Sequence, residues 1–211
     1  MLAALAADLA AAGFDLLHPF DARACAAETG ARLDGGRLGL FVGNTRALWP
    51  VFSAARANDP ELASASHPLE LYTERVIDHV IARVATSLPN ARVYYGHRQY
   101  DGAFLPFQRL AVAAGIGSLS PTQLVIHPVY GPWFALRAVI TCDGEPPPRV
   151  AAPRACSCDR DCLDAFSRAM SSTGPDVWRA WLEVREACTV GREHRYSDEQ
   201  IAYHYSFLRI G

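Results

Sequence analysis

Lysine is absent from this chain of 211 residues: all 20 of its basic residues are arginine. A lysine Schiff base to pyridoxal phosphate is therefore excluded, as is a phosphate loop built on lysine. An arginine- and alanine-rich, lysine-free composition is what a GC-rich genome produces. Acidic residues number 22, so the net charge is only −2. That balance gives no basic surface for nucleic acid or an acidic membrane. No apolar run reaches the roughly eighteen residues a membrane helix needs. The apolar N-terminus lacks a basic region and is interrupted by Asp8, so a signal peptide is not expected. The chain reads as cytoplasmic, and its six cysteines as reduced thiols or ligands rather than disulfides. No G-x-S-x-G or H-E-x-x-H motif occurs. Gly35-Gly36 lacks a following helix, and Gly115-x-Gly117 alone is a weak phosphate signal.

What is present is apolar: hydrophobic residues make up 50% of the chain, enough for one domain with a substantial core. Helices are predicted over 2–12, 46–57, from His67-Pro68 to about 87, over 106–114, 163–171 and 177–188. Short strands are predicted over 14–20, 38–42 and 92–95. Helices alternating with strands argue for a mixed α/β or α+β sheet protein. Residues 144–153 hold four prolines and read as a linker or surface crossing. The expected organisation is a main unit over 1–150 and a C-terminal cap over 151–211. No internal repeat occurs.

Residues 126–137 read I-H-P-V-Y-G-P-W-F-A-L-R. Two prolines and a glycine between apolar runs predict a tight turn joining two extended segments as a hairpin. The Trp133-Phe134 pair beside that bend forms either a platform for a large flat ligand, with Gly131 letting the backbone approach it, or ordinary core aromatics.

This stretch resembles the I-H-P-x-F-G-G-W-F-A-I-R-G segment of the cblC-type (MMACHC) cobalamin-processing family. The resemblance continues in order along nearly the whole chain. Residues 12–20, with Phe14, Pro19 and Phe20, resemble its F-G-F-E-x-x-P-F. G-L-F-V-G-N-T at 39–45 resembles its A-F-L-V-L-S-T. R-Y-S-D-E-Q-I-A-Y at 195–203 resembles its R-Y-S-E-E-Q-K-A-Y. Residues 101–137 also resemble the cobalamin domain of epoxyqueuosine reductase, through Asp101-Gly102-Ala103, Ala114-Gly115-Ile116-Gly117 and Gly131-Pro132-Trp133-Phe134.

The resemblance implies a nitroreductase-like α+β fold whose C-terminal segment closes over cobalamin. It implies that the cofactor is held base-off, its own lower base displaced, and that its upper ligand is removed or exchanged. Reduced flavin or glutathione would act as electron donor or co-substrate, and a homodimer is allowed. The implied cobalamin contacts are Gly115, Gly117, Leu119, Thr122, Gln123 and Ile126, followed by His127, Pro128, Tyr130, Gly131, Trp133 and Phe134. Arg137, Arg179 and, more loosely, Arg209 correspond to arginines of the family's thiol site; paired guanidinium groups suit the carboxylates of a glutathione-like thiol. His127 could ligate cobalt, but the D-x-H-x-x-G pattern of histidine-ligated B12 proteins is absent, so it reads as a turn or corrin-amide contact. Asp101 matches the proton-donating aspartate of the reductases, a role that needs a desolvated carboxyl; Asp101-Gly102 is equally a turn dipeptide. The reductase match leaves open an enzyme acting on a small-molecule substrate. A non-catalytic carrier is also open.

Cys156, Cys158 and Cys162 form C-x-C-x3-C. The reductases carry C-x2-C-x2-C-x3-C-P near this point. Here Phe166 stands at the fourth cysteine's place, so no iron–sulfur cluster is expected. Zinc on the three thiols plus a histidine remains an alternative.

Overall fold

The computed structural model describes residues 2–149, 153, 156 and 158–206. Its centre is a four-stranded sheet of β1 (Leu16–Asp21), β2 (Leu38–Asn44), β3 (Arg92–Tyr95) and β8 (Ala135–Cys142), in the order β1-β2-β8-β3. Every pairing is antiparallel, which makes the chain α+β. Pro19 sits on the edge strand β1, where a missing N–H is tolerated.

Helices cover both faces. On one, Leu38, Leu40 and Val42 of β2 and Ala138, Ile140 and Cys142 of β8 pack under α1 (Leu2–Ala11), α3 (Leu48–Asn58), α4 (Pro60–Ser64) and α5 (Pro68–Arg83). On the other, Phe41 and Val139 pack under α2 (Ala22–Thr29) and α6 (Phe107–Ala113). Residues two apart on a strand share a face, so β2, buried at all seven positions, feeds both cores. Helix α2 was not predicted. Its local signals are sound: Asp21 caps it by accepting from Ala24 N at 2.9 Å, and Gly30 ends it at φ 71°. Helix α5 stops at Arg83 rather than near 87, where the chain turns at Val84.

The hairpin predicted across 124–140 does not form. β7 (Val125–Ile126) pairs instead with β6 (Ser118–Leu119), while β8 lies between β2 and β3. The turn between them is closed by a His127–Gly131 bridge and leads the chain from one sheet into another. A second small hairpin joins β4 (Gln99–Tyr100) to β5 (Ala103–Phe104).

The C-terminal part is an antiparallel helix pair, α7 (Arg160–Ser171) and α8 (Val177–Ala187), followed by a short 3-10 turn (Arg192–His194) and α9 (Asp198–Ser206). Asp159 caps α7 by accepting from Cys162 N, which starts that helix three residues earlier than predicted. Ala165 and Ala169 of α7 meet Val184 of α8. Trp178 of α8 and Ile201 and Tyr205 of α9 gather with Tyr196 around Trp133, docking the cap on the main sheet.

Candidate functional site

Between sheet and cap runs a groove of about 410 Å³. Phe107 and Gln108 of α6, Leu124, Val125, Phe134 and Leu136 form one wall; Trp181, Val184 and Arg185 of α8 and Tyr205 of α9 form the other, with Pro132 between them. The lining is mostly apolar with a few polar groups, the usual composition of a small-molecule site. Arg185 is the cation of this groove. It donates to the Pro132 carbonyl, and its guanidinium lies over the Trp133 ring at 4.8 Å and the Tyr196 ring at 5.2 Å. Sequence reasoning passed over Arg185 in favour of Arg179. The available signal was its spacing, four residues after Trp181 and seven after Trp178, which places it on the aromatic face of the helix.

The twelve residues assigned to cobalamin are close in the fold but do not share one surface. Phe134 lines the groove. Trp133 turns the opposite way and is 1% exposed in the cap core, so the pair is not a side-by-side platform. Gly131 makes a close approach, but to the protein itself: a Cβ there would collide with the Val190 carbonyl, and one on Gly191 with the backbone of Tyr130 and Gly131. At φ 56° the position also favours glycine. Gly115, at φ 81°, follows α6, and a Cβ on Gly117 would meet the Ile126 carbonyl at 2.5 Å. Thr122 is buried and shares a hydrogen bond of 2.9 Å with Ser120. Leu119 is exposed. Gln123 takes φ 62°, and its carbonyl accepts from Gln108 at 3.3 Å, which ties this turn to the groove wall. Ile126 is buried in β7; Pro128 lies in the turn after it.

His127 holds that turn together. Its Nδ1 accepts from Val129 N at 3.0 Å and Tyr130 N at 3.2 Å, and its ring stacks on Tyr130 at 4.6 Å. Burial, helped by His18 and His194, lowers its pKa to about 4. The ring is neutral with its proton on Nε2, so Nδ1 is already engaged by backbone and Nε2 carries hydrogen. Neither nitrogen offers a free lone pair to a metal.

Arg137 occupies a bulge in β8: Ala138 pairs with Val42 and Leu136 with Gly43, leaving it opposite no residue. Its Nε donates to Asn44 Oδ1 at 2.7 Å. Asn44 in turn donates to the Thr45 carbonyl, and Thr45 is anchored by Asp15 through its N–H and hydroxyl. Burial lowers the Arg137 pKa. Among the described residues no carboxylate lies within ion-pair distance of it. Arg137 opens on a separate cavity of about 240 Å³ with His67, Leu69, Glu70, Tyr203 and His204. Arg179 is not beside it: it is exposed, pairs with Asp176 at 3.3 Å and lies over Trp178. Arg209 lies outside the described residues.

Asp101 sits at the tip of the β4–β5 hairpin. Its φ of 51° and the 78° of Gly102 fit a two-residue turn of type I′. The side chain is 75% exposed and pairs with the equally exposed Arg32 at 3.5 Å. The burial that a proton-donating carboxyl needs is not provided here; the turn reading accounts for the residue.

Several polar atoms buried near the sheet–cap junction have no hydrogen-bond partner among the described residues: Trp133 Nε1, the Tyr196 hydroxyl, both amide atoms of Gln200 and His204 Nε2. Each orphan costs about 1–3 kcal/mol. None of these residues is among those lining the groove; His204 lines the Arg137 cavity instead. No helix among the described residues is long and apolar enough to cross a membrane.

No protein-family model and no curated protein matches the chain. Solved structures do. The B12-trafficking protein CblC of C. elegans, a homologue of human MMACHC, superposes with a TM-score of 0.71 at 16% identity over 99% of this chain and 94% of that one. The chain has the CblC fold. Epoxyqueuosine reductases share it more distantly. That of Streptococcus thermophilus gives a TM-score of 0.50 at 12% identity, covering 92% of this chain and 65% of that one. That of Bacillus subtilis gives 0.51 at 12%, covering 92% and 66%. This chain thus matches CblC nearly end to end and about two thirds of the reductases.

Proposed function

We propose that the protein binds cobalamin base-off in the groove between sheet and cap and removes or exchanges its upper axial ligand. The observation that carries this reading is the apolar groove itself, walled by Phe134 and Trp181 with Arg185 in its lining. Cobalamin is the substrate; its cobalt supplies the chemistry, taking electrons in reductive decyanation or leaving an alkyl carbon that a thiolate attacks. The chain excludes water with its apolar walls and presents the Arg185 cation at the groove edge. His127 Nδ1 is taken by two backbone N–H groups and Nε2 carries the proton, which supports the base-off form, since this histidine offers cobalt no replacement for the displaced base. Arg137, with an amide rather than a carboxylate as its partner, remains able to bind the carboxylate of a glutathione-like thiol. That contact would lie in its own cavity beside His67, Glu70 and Tyr203, apart from the groove that Arg185 lines.

The test is the visible spectrum after adding hydroxo-, cyano- and methylcobalamin, followed by glutathione or reduced flavin under anaerobic conditions. A shift to shorter wavelength on binding, then a corrin change on adding reductant, is expected. Bound cobalamin that keeps its upper ligand and passes it on to a partner points to a carrier. Bound cobalamin that turns over only with an organic substrate points to the reductase-like enzyme.

A further inference from the structure

No group of three potential ligands among the described residues stands at metal-holding spacing, Cys156, Cys158 and Cys162 included. The Arg137 cavity offers a different chemistry. Arg137 reaches it from the bulge of β8 and His204 from the last turn of α9, and both line a space of about 240 Å³. A water molecule takes about 30 Å³ in the liquid, so a carboxyl group and the atoms next to it have room there. Arg137 gives its Nε to the uncharged amide oxygen of Asn44. Its charge has no carboxylate partner among the described residues. His204 Nε2 is buried and likewise has no hydrogen-bond partner among them. Burial, with the Arg137 and Arg185 cations, lowers the His204 pKa to about 3, so the ring is neutral. The other titratable groups facing it are Tyr196, whose ring lies 5.7 Å away, Tyr203 beside it in α9, and His67 and Glu70 at the start of α5. Glu70 and His67 pair with each other at 3.9 Å, with side chains 44% and 63% exposed, on the solvent side of the cavity.

We propose that the cavity takes the carboxylate of its ligand between Arg137 and His204, and that His204 takes up a proton from solvent as the carboxylate enters. The inference rests on the reading of Arg137 as a thiol-carboxylate contact, and adds to it a second binding residue and a proton linkage. An unpaired buried cation is costly, and the same cation disfavours charge on the neighbouring ring. A carboxylate between them removes both penalties, because an opposite charge at close range favours the protonated imidazole. His204 Nε2–H then donates to the carboxylate beside the guanidinium, which gives charge-assisted hydrogen bonds from two sides. Glu70 repels a second acid group, so the ligand enters with one carboxylate foremost. The sign of the pH dependence follows. The free site holds His204 neutral, the filled site moves it back toward about 6.5, and binding is tighter in mild acid.

The experiment is calorimetric titration of the full chain with S-methylglutathione, without cobalamin, in buffers of differing ionisation enthalpy. The blocked sulfur removes thiol chemistry, and terminal carboxyls with pKa values of about 3.3–3.7 stay ionised at both about pH 7.5 and about pH 5.5. Affinity should rise about tenfold at the lower pH, with about half to one proton taken up per ligand. His204→Gln should lose both the rise and the uptake. Glu70→Gln should bind more tightly and keep both, and His67→Gln should keep both. Wild-type binding that is independent of pH overturns the proposal. So does uptake that survives His204→Gln, or that disappears in Glu70→Gln or His67→Gln. If His204→Gln fails to fold, the wild type and the other two variants still decide, because they report where the proton does not go. Absence of probe binding also overturns it, and leaves cobalamin binding in the groove, read separately from the visible spectrum, untouched.

Discussion

The Arg185 guanidinium lies over the Trp133 indole at 4.8 Å while donating to the carbonyl of Pro132. One side chain of the cap thereby grips both the ring and the backbone of the segment that leads into β8. Removing it as Arg185→Ala loses a charge-assisted hydrogen bond of about 1.5–3 kcal/mol and a cation–π contact of about 0.5–2 kcal/mol. Thermal unfolding should show a clear loss and cobalamin titration a weakened complex. Arg179→Ala removes only an exposed pair of about 0–1 kcal/mol. Equal effects of the two substitutions would show that Arg185 does not hold the cap.

Arg137→Ala strands the Oδ1 of Asn44, a residue 0% exposed, at a cost of about 1–3 kcal/mol. It also opens the strand bulge that Arg137 fills. Reduced folding yield and a lower midpoint in urea are expected. Where the variant folds, thiol-dependent turnover should fall further than cobalamin affinity, because Arg137 faces its own cavity rather than the groove. Wild-type stability together with wild-type turnover would remove Arg137 from both roles.

Acid should weaken the fold above the range where carboxylates titrate. Burial holds His127 at about 4 and, with Arg137 and Arg185 nearby, His204 at about 3. In the unfolded chain each titrates near 6.5. The unfolded state therefore takes up protons first, so stability is full above about pH 6.5 and declines as pH falls toward 4. Each ring contributes on the order of 1–3 kcal/mol after allowing for partial exposure. Urea unfolding at pH 7.5 and pH 5 measures the difference, and His127→Gln should flatten it. An unchanged slope in that variant would mean the ring is solvated.

Asp101→Asn should be nearly silent. Asparagine tolerates the left-handed conformation this turn requires, and the lost partner, Arg32, is exposed. Glutathione-dependent dealkylation should change by less than about tenfold, or about 1.4 kcal/mol. A thousandfold loss with cobalamin affinity intact would favour a reaction on an organic substrate that needs a protein acid.

Gly131→Ala should be far more damaging than its size suggests. The added Cβ strikes the Val190 carbonyl, and left-handed backbone costs a non-glycine residue about 1–2 kcal/mol. The turn at 128–131 and the turn after α8 must part, which loosens the cap at that junction. Limited proteolysis should cut this variant near residue 190 faster than wild type; equal rates would mean the two backbones do not touch.

The sequence by itself determined the α+β class, most helices, and three strands of the main sheet, because apolar periodicity and caps are local signals. It also carried a likeness to cobalamin proteins in short motifs spread over the chain. What it left undecided was which face each residue would serve. I-H-P-V-Y-G-P-W-F reads as a hairpin, yet its two arms join different sheets, since strand pairing is settled by distant partners: Ser118–Leu119 for one arm, β2 and β3 for the other. Adjacent aromatics then diverge, Phe134 to the groove and Trp133 to the cap. Gly131 proves to make room for Val190 rather than for a ligand. Arg185 had no mark in the local sequence beyond helical spacing. Its role exists only once α8 folds back on α7 and the cap docks, because a charge over a distant ring is a relation between elements, and no window along the chain contains both sides of it.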